Sequence, residues 1–175
     1  MQDSRFSQRL QRTETVERIT YLPIGIIRSP FRDIEGMPIQ PLAARGIAGT
    51  VELAPEYTAG LKDLEGFSHL ILLYHFHLSK GYSLEVKPFL DNQPHGVFAT
   101  RAPKRPNAIG LSIVRLIRVI HCSLHIEDVD IVDGTPLLDL KPYVPAFDVH
   151  QVARIGWFAG KLEEAGNTRA DGRFR

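Results

Sequence analysis

The sequence holds one cysteine, Cys122, among its 175 residues. A lone thiol forms no intrachain disulfide, which suits a cytoplasmic protein. No run of 18 apolar residues occurs, so no transmembrane helix and no membrane partner are expected. Residues 1–18 are polar and mixed in charge, without the apolar region of a secretory signal. An excess of one charge is lacking too: 21 Lys and Arg face 20 Asp and Glu, a net charge of +1. Global charge therefore gives no sign of nucleic-acid binding, although a local patch can act alone. No G-x-G-x-x-G turn and no Walker motif is present, and strands do not alternate with long helices. Both absences argue against a doubly wound, nucleotide-binding sheet.

What is present is ordinary globular material, 43% hydrophobic and 23% charged. A chain of this length buries roughly 70% of its unfolded surface in one core and needs no metal or disulfide staple. We expect a loose leader over 1–18, one domain over 19–165 and a loose tail over 166–175. Strands are expected at Ile19–Arg28, Gly46–Leu53, His69–His77, Leu84–Phe89, Val97–Arg101, Leu111–Ile120, Leu124–Val129 and Leu137–Leu140. Helical spacing is confined to Pro55–Leu64 and to His150–Glu164, where Val152, Ile155, Phe158, Ala159 and Leu162 share a face. Many short strands with Gly and Pro punctuation predict a mainly β fold, a small β-barrel with one C-terminal helix and a short helix near 55–64.

Four segments carry candidate chemistry. Phe98–Ser112 sets Arg101, Lys104 and Arg105 on a loop stiffened by Pro103 and Pro106, an arrangement suited to a carboxylate or phosphate. A solvated basic loop is the plain alternative. Asp128, Asp130 and Asp133 lead through Asp133-Gly134, a turn signal, to Asp139, Lys141 and Tyr143. The plain reading there is a hairpin with solvated acids. His75 and His77 would share one face of a strand and offer two imidazoles, but no third metal ligand stands at motif spacing, so no metal is expected. Cys122 beside His121 is no dyad, because adjacent strand residues point to opposite faces. Pro38 and Pro41 make a rigid extended segment that presents Gln40.

These segments, in order, resemble one family. The resemblance runs through Pro23-Ile24-Gly25, Ser29-Pro30-Phe31, Pro38-Ile39-Gln40 and Gly66-Phe67-Ser68-His69-Leu70 to Phe76-His77. It continues in Phe98-Ala99-Thr100-Arg101, Arg105-Pro106-Asn107-Ala108-Ile109-Gly110-Leu111-Ser112, Asp133-Gly134-Thr135-Pro136 and Asp139-Leu140-Lys141-Pro142-Tyr143. The chain looks like a member of the TrmO family, also called YaeB-like or VirR-like, over roughly residues 20–148. The resemblance implies a non-Rossmann β-barrel that binds S-adenosylmethionine and works as a cytoplasmic homodimer. It also implies methylation of N6 of threonylcarbamoyl-adenosine beside the tRNA anticodon.

By motif, the cofactor site should fall on Pro38, Ile39, Gln40, His77, Leu78, Arg101, Leu111, Ile131, Val132, Asp133 and Gly134. Lys104, Arg105 and Tyr143 are the expected substrate contacts. Ile39 stands where the family commonly has Arg, and Ala108 where it has Pro. Some members carry an added C-terminal domain thought to help hold tRNA; this chain is expected to lack one. The acceptor nitrogen is conjugated to a carbonyl, so transfer should benefit from removal of its proton. Asp133, Asp139, His77 and Tyr143 are all open for that role. Methylation of another acceptor and a non-catalytic S-adenosylmethionine-sensing module remain the alternatives.

Overall fold

Short strands whose side chains alternate between buried and more exposed positions build the fold. In the computed structural model, which describes residues 18–162 and 168–174, eight strands are formed. They are β1 (Gly25–Arg28), β2 (Gly49–Leu53), β3 (His69–His75), β4 (Glu85–Val86), β5 (His95–Gly96), β6 (Ile109–Ile120), β7 (Ser123–Glu127) and β8 (Thr135–Pro142). Six of them close into an antiparallel barrel in the order β1-β2-β7-β6-β3-β8, with β8 returning to β1. Closure leaves no free sheet edge. Every second side chain points inward, so Ile27, Val51, Leu70, Leu72, Val114, Leu124, Ile126 and Leu137 fill the interior and are almost fully buried. The small pair β4–β5 lies outside the barrel sheet.

The mainly β barrel matches the architecture expected from the sequence, whereas several boundaries do not. The first strand begins only at Gly25, after Pro23, which has no N–H for a ladder. The strand expected over Leu84–Phe89 shrinks to two residues before Pro88. Val97–Arg101 is not a strand: Val97–Ala99 is a 3-10 turn, because Thr100 N and Oγ1 both donate to the Val97 carbonyl (3.1 and 2.9 Å). Pro55–Leu64 is a 3-10 helix over Pro55–Leu61, followed by a separate turn at Leu64–Gly66. A short α-helix, α1, covers Pro145–Asp148.

The helix expected over His150–Glu164 is absent from 150–161, where only a 3-10 turn at Gly156–Phe158 forms; Glu163 and Glu164 lie outside the described residues. Gly156 and Gly160 adopt φ of +60° and +78°, which interrupts right-handed winding. Val152 and Leu162 are more than half exposed, so the apolar face has no body to lie on. The segment is held instead through Trp157. Its Nε1 donates to the Ala99 carbonyl (2.8 Å), and its ring stacks on His95 at 4.5 Å. Asp91 pairs with His95 Nε2 at 3.1 Å and with Lys161 close by.

The expected leader, residues 1–18, falls almost wholly outside the described residues. Of the expected loose tail, residues 168–174 are seated on the body. Arg169 bridges to Pro38, Ala170 N donates to Met37 O and Gly36 N to Ala170 O (both 2.8 Å). Phe174 is buried edge-on against Phe89 in a second small core with Val86, Val97 and Ala102. No helix among the described residues is long and apolar enough to cross a membrane.

Candidate functional site

One end of the barrel opens into a cavity of about 390 Å³, within the ~300–1,000 Å³ typical of small-molecule sites. Four segments meet there. The 34–40 segment contributes Pro38, Ile39 and Gln40, and the end of β3 with its following turn contributes Tyr74, Phe76, His77 and Leu78. The 100–111 segment contributes Arg101, Arg105, Ile109 and Leu111, and the turn before β8 contributes Asp130, Ile131 and Val132. Most of this wall is apolar, with a few polar groups converging on it.

Of the expected cofactor residues, Pro38, Ile39, Gln40, His77, Leu78, Arg101, Leu111, Ile131 and Val132 all line this cavity. Arg101 Nη1 donates to Gln40 Oε1 at 3.3 Å, joining two of the segments. His77 lies past the end of β3, so it does not share a strand face with the exposed His75; its backbone N donates to the His75 carbonyl at 2.8 Å. His77 Nδ1 is 3.3 Å from Thr135 Oγ1. Burial, aided by nearby His75, lowers its pKa, which keeps the ring neutral at pH 7.

Other expected residues are not brought together there. Asp133 and Gly134 sit beside the wall, not in it. Asp133 pairs with Arg32 (2.6 Å) and accepts from Ser29 N (3.1 Å), bracing the 29–32 turn against the loop before β8. Lys104 is not a lining residue. Arg105 lines the cavity, yet its Nη1 is spent on the carbonyls of Val97 (3.0 Å) and Thr100 (2.9 Å), and its guanidinium lies over Phe98. Tyr143 is excluded from the cavity. It follows the far end of β8, its ring edge-on to His69, and the eight residue steps back to Thr135 span roughly 26 Å of strand. Asp139 is likewise outside, paired with Lys141 at 2.6 Å. Among the described residues no group of three or more His, Cys, Asp or Glu is placed to hold a metal ion.

Two features escaped the sequence reading. The first is the polar chain Tyr74–Ser112–Asp130. Ser112 Oγ donates to Asp130 Oδ1 at 2.6 Å, and Tyr74 Oη lies 3.0 Å from the same Oγ. With its one proton given to Asp130, Ser112 accepts from Tyr74. Burial pushes the Asp130 carboxyl up to about 6, against the opposing pull of Ser112, its own backbone N–H and Arg101. Burial also pushes the Tyr74 phenol far above its usual value. The second is a C-terminal cover: Trp157, Phe158, Ala170 and Phe174 all line the cavity. The sequence places Trp157 and Phe158 in an expected helix and Phe174 in an expected loose tail, and only the contacts of the folded chain reveal their position.

Comparison with known proteins follows the same residues. The family model of the tRNA-methyltransferase O N-terminal domain matches residues 26–149. A probable S-adenosyl-L-methionine-binding protein of Pyrococcus abyssi is 56% identical over 156 residues, covering 89% of this chain and 85% of the relative. The tRNA (adenine(37)-N6)-methyltransferase of Escherichia coli is 39% identical over 132 residues, covering 70% of this chain and 56% of that protein. The crystal structure of TrmO from Pseudomonas aeruginosa superposes with a TM-score of 0.68 at 41% identity, covering 81% of this chain and 63% of that one. The chain thus spans under two thirds of the length of these methyltransferases and most of the length of the Pyrococcus relative.

Proposed function

Because the chain belongs to the family of the tRNA-methyltransferase O N-terminal domain, we propose that it transfers a methyl group from S-adenosylmethionine to tRNA. The acceptor would be N6 of the adenosine beside the anticodon, in its threonylcarbamoyl form. The observation that carries this reading is the meeting, in one cavity, of nine motif residues from four separate segments.

The cavity suits such a methyl donor. Its apolar wall at Ile39, Leu78, Leu111, Ile131 and Val132 would take the flat base, and the Gln40 amide offers hydrogen bonds in its plane. Arg101 would hold the donor's carboxylate, a role for which a planar guanidinium is suited. Once bound, the donor supplies an electrophilic methyl group on a positively charged sulfur. The protein's own part is to exclude water, align the acceptor nitrogen and manage its proton. The Asp133-Gly134 turn would shape the wall from behind. Lys104, outside the cavity, is suited to the RNA backbone, and Arg105, on the wall, to the acceptor's carboxylate. Exposed Phe98, outside the cavity lining, offers apolar surface for a second copy, in keeping with a homodimer. A tRNA substrate and a single free thiol suit the cytoplasm.

The test is methyl transfer in vitro. The protein, S-adenosylmethionine and tRNA from cells lacking the modification are incubated, and the nucleosides are analysed by mass spectrometry. A gain of one methyl on threonylcarbamoyl-adenosine is expected. Methylation of a different nucleoside overturns the acceptor, and tight cofactor binding without any transfer favours the sensing alternative.

A further inference from the structure

Among the described residues that line the cavity, Asp130 is the only acid. The other ionisable groups there are Tyr74 on β3, His77 just after it, and Arg101 and Arg105 on the segment before β6. Asp130 follows β7 on the loop that runs to β8. Ser112, inside the barrel on β6 and 1% exposed, fixes one of its oxygens by donating to Oδ1. Tyr74 in turn holds Ser112 from β3, so the carboxylate is aimed by two side chains anchored on neighbouring strands. A residue with no task would not be expected to keep a carboxylate at this depth, since burial of the charge is costly. The arrangement is that of an oriented acceptor of protons.

Resting on the methyltransferase reading, we propose that Asp130 is the general base of the reaction, with Ser112 and Tyr74 as its positioning residues. The acceptor's N6–H bond breaks as its proton passes to an Asp130 carboxylate oxygen. The nitrogen's electron pair forms the new bond to the methyl carbon, and the carbon–sulfur bond breaks, its electrons leaving a neutral thioether. The proton then returns to solvent from the open cavity. A carboxyl that titrates near 6 suits the task, being ionised at neutral pH yet more basic than a solvated aspartate. Positive Arg101 nearby favours the ionised form.

The experiment combines three readouts on wild type, Asp130→Asn, Ser112→Ala and Tyr74→Phe. Carbon-detected NMR of the unloaded protein should find an aspartate titrating near pH 6 that is missing in Asp130→Asn. In Ser112→Ala its midpoint should move up, because the bond that favours the charged form is gone. Calorimetry should find S-adenosylmethionine bound by Asp130→Asn within about threefold of wild type, while single-turnover transfer to tRNA falls ~10²–10⁴-fold. The acid limb of the wild-type pH profile should vanish in Asp130→Asn and shift upward in Ser112→Ala. Tyr74→Phe should shift it less.

Transfer by Asp130→Asn at the wild-type rate, with the acid limb intact, overturns the assignment and gives the proton to another group such as His77. Loss of cofactor affinity with an unchanged rate in the bound state also overturns it, since the carboxylate would then serve only to hold the donor's positive charge. A wild-type protein that methylates no tRNA overturns the parent reading along with this one. Activity in both proteins overturns this one alone.

Discussion

Arg101 Nη1 donates to Gln40 Oε1 at 3.3 Å, so two residues 61 positions apart form one edge of the cavity. Neither is needed for the core, and Arg101 is exposed. Arg101→Ala should therefore leave the melting temperature within a degree or two while weakening S-adenosylmethionine by about 10- to 100-fold, the value of a hydrogen bond to a charged group. Gln40→Ala should cost less. Titration calorimetry measures both, and unchanged affinity in Arg101→Ala removes it from the cofactor site.

Gly110 lies opposite Tyr74 in the β3–β6 register, and the tyrosine ring occupies the space a β-carbon would need. Gly110→Ala should force the ring aside, at a cost of ~1–3 kcal/mol of stability for an overpacked interior. The displaced phenol should also lose Ser112. Chemical denaturation and the pH profile of transfer report the two effects separately. A variant as stable as wild type would mean that the strand pair can spread.

Burial raises the Asp130 carboxyl from 3.8 to about 6 in the folded chain. A raised value favours the protonated form in the folded state, so the stability linked to this group is fully present below about pH 4 and is lost as pH rises through about 6. Asp130→Asn, which has no charge to bury, should match wild type near pH 4 and exceed it at pH 7.5, on the order of 1–3 kcal/mol. Melting curves across this range check the sign. A variant less stable than wild type at pH 7.5 would show that the carboxylate is structural.

Lys104 and Arg105 are neighbours with different commitments. Arg105 is bonded to two backbone carbonyls, so Arg105→Ala should lower stability as well as activity. Lys104→Ala should leave stability unchanged and weaken tRNA. The slope of log affinity against log salt should also fall by about one, as expected for a lost phosphate contact. Filter binding over a salt series measures the slope, and an unaltered slope assigns the phosphate contact elsewhere.

Phe174, 5% exposed, closes the small core against Phe89 and also lines the cavity. Phe174→Ala should cost ~1–3 kcal/mol and weaken the cofactor several-fold by opening the wall. Thermal unfolding with and without S-adenosylmethionine follows both. Equal ligand-induced stabilisation in the variant would make the segment a brace only.

The barrel strands were legible because their signal is local. His69–His75 is a nearly continuous apolar run too short for a helix, and reading it as a strand needs no knowledge of the partner strand. The motif residues Pro38–Gln40, His77–Leu78, Arg101, Leu111 and Ile131–Val132 were legible as well, since each motif is a short, ordered string. The spacing at His150–Glu164 was helical too, yet two glycines with positive φ and the docking of Trp157 on Ala99 and His95 outweighed it. Propensity is worth tenths of a kcal/mol per residue, and tertiary contacts override it.

What the sequence by itself determined, then, was the mainly β class, the family resemblance and the strings that meet in the cavity. Tertiary structure alone decided which of their members face the ligand space. Asp130 and Asp133 stand three residues apart in a run of acids, alike to any reading of composition. The register that sets Ser112 inside the barrel bonds it to Asp130 and turns that carboxylate into the cavity, where burial raises its pKa against the pull of Ser112. The salt bridge to Arg32 turns the other away. Tyr143 lies at the far end of the strand that begins beside the cavity, away from the ligand space. A strand's length fixes which end of a barrel each residue serves, and that distance becomes visible only once the sheet is closed.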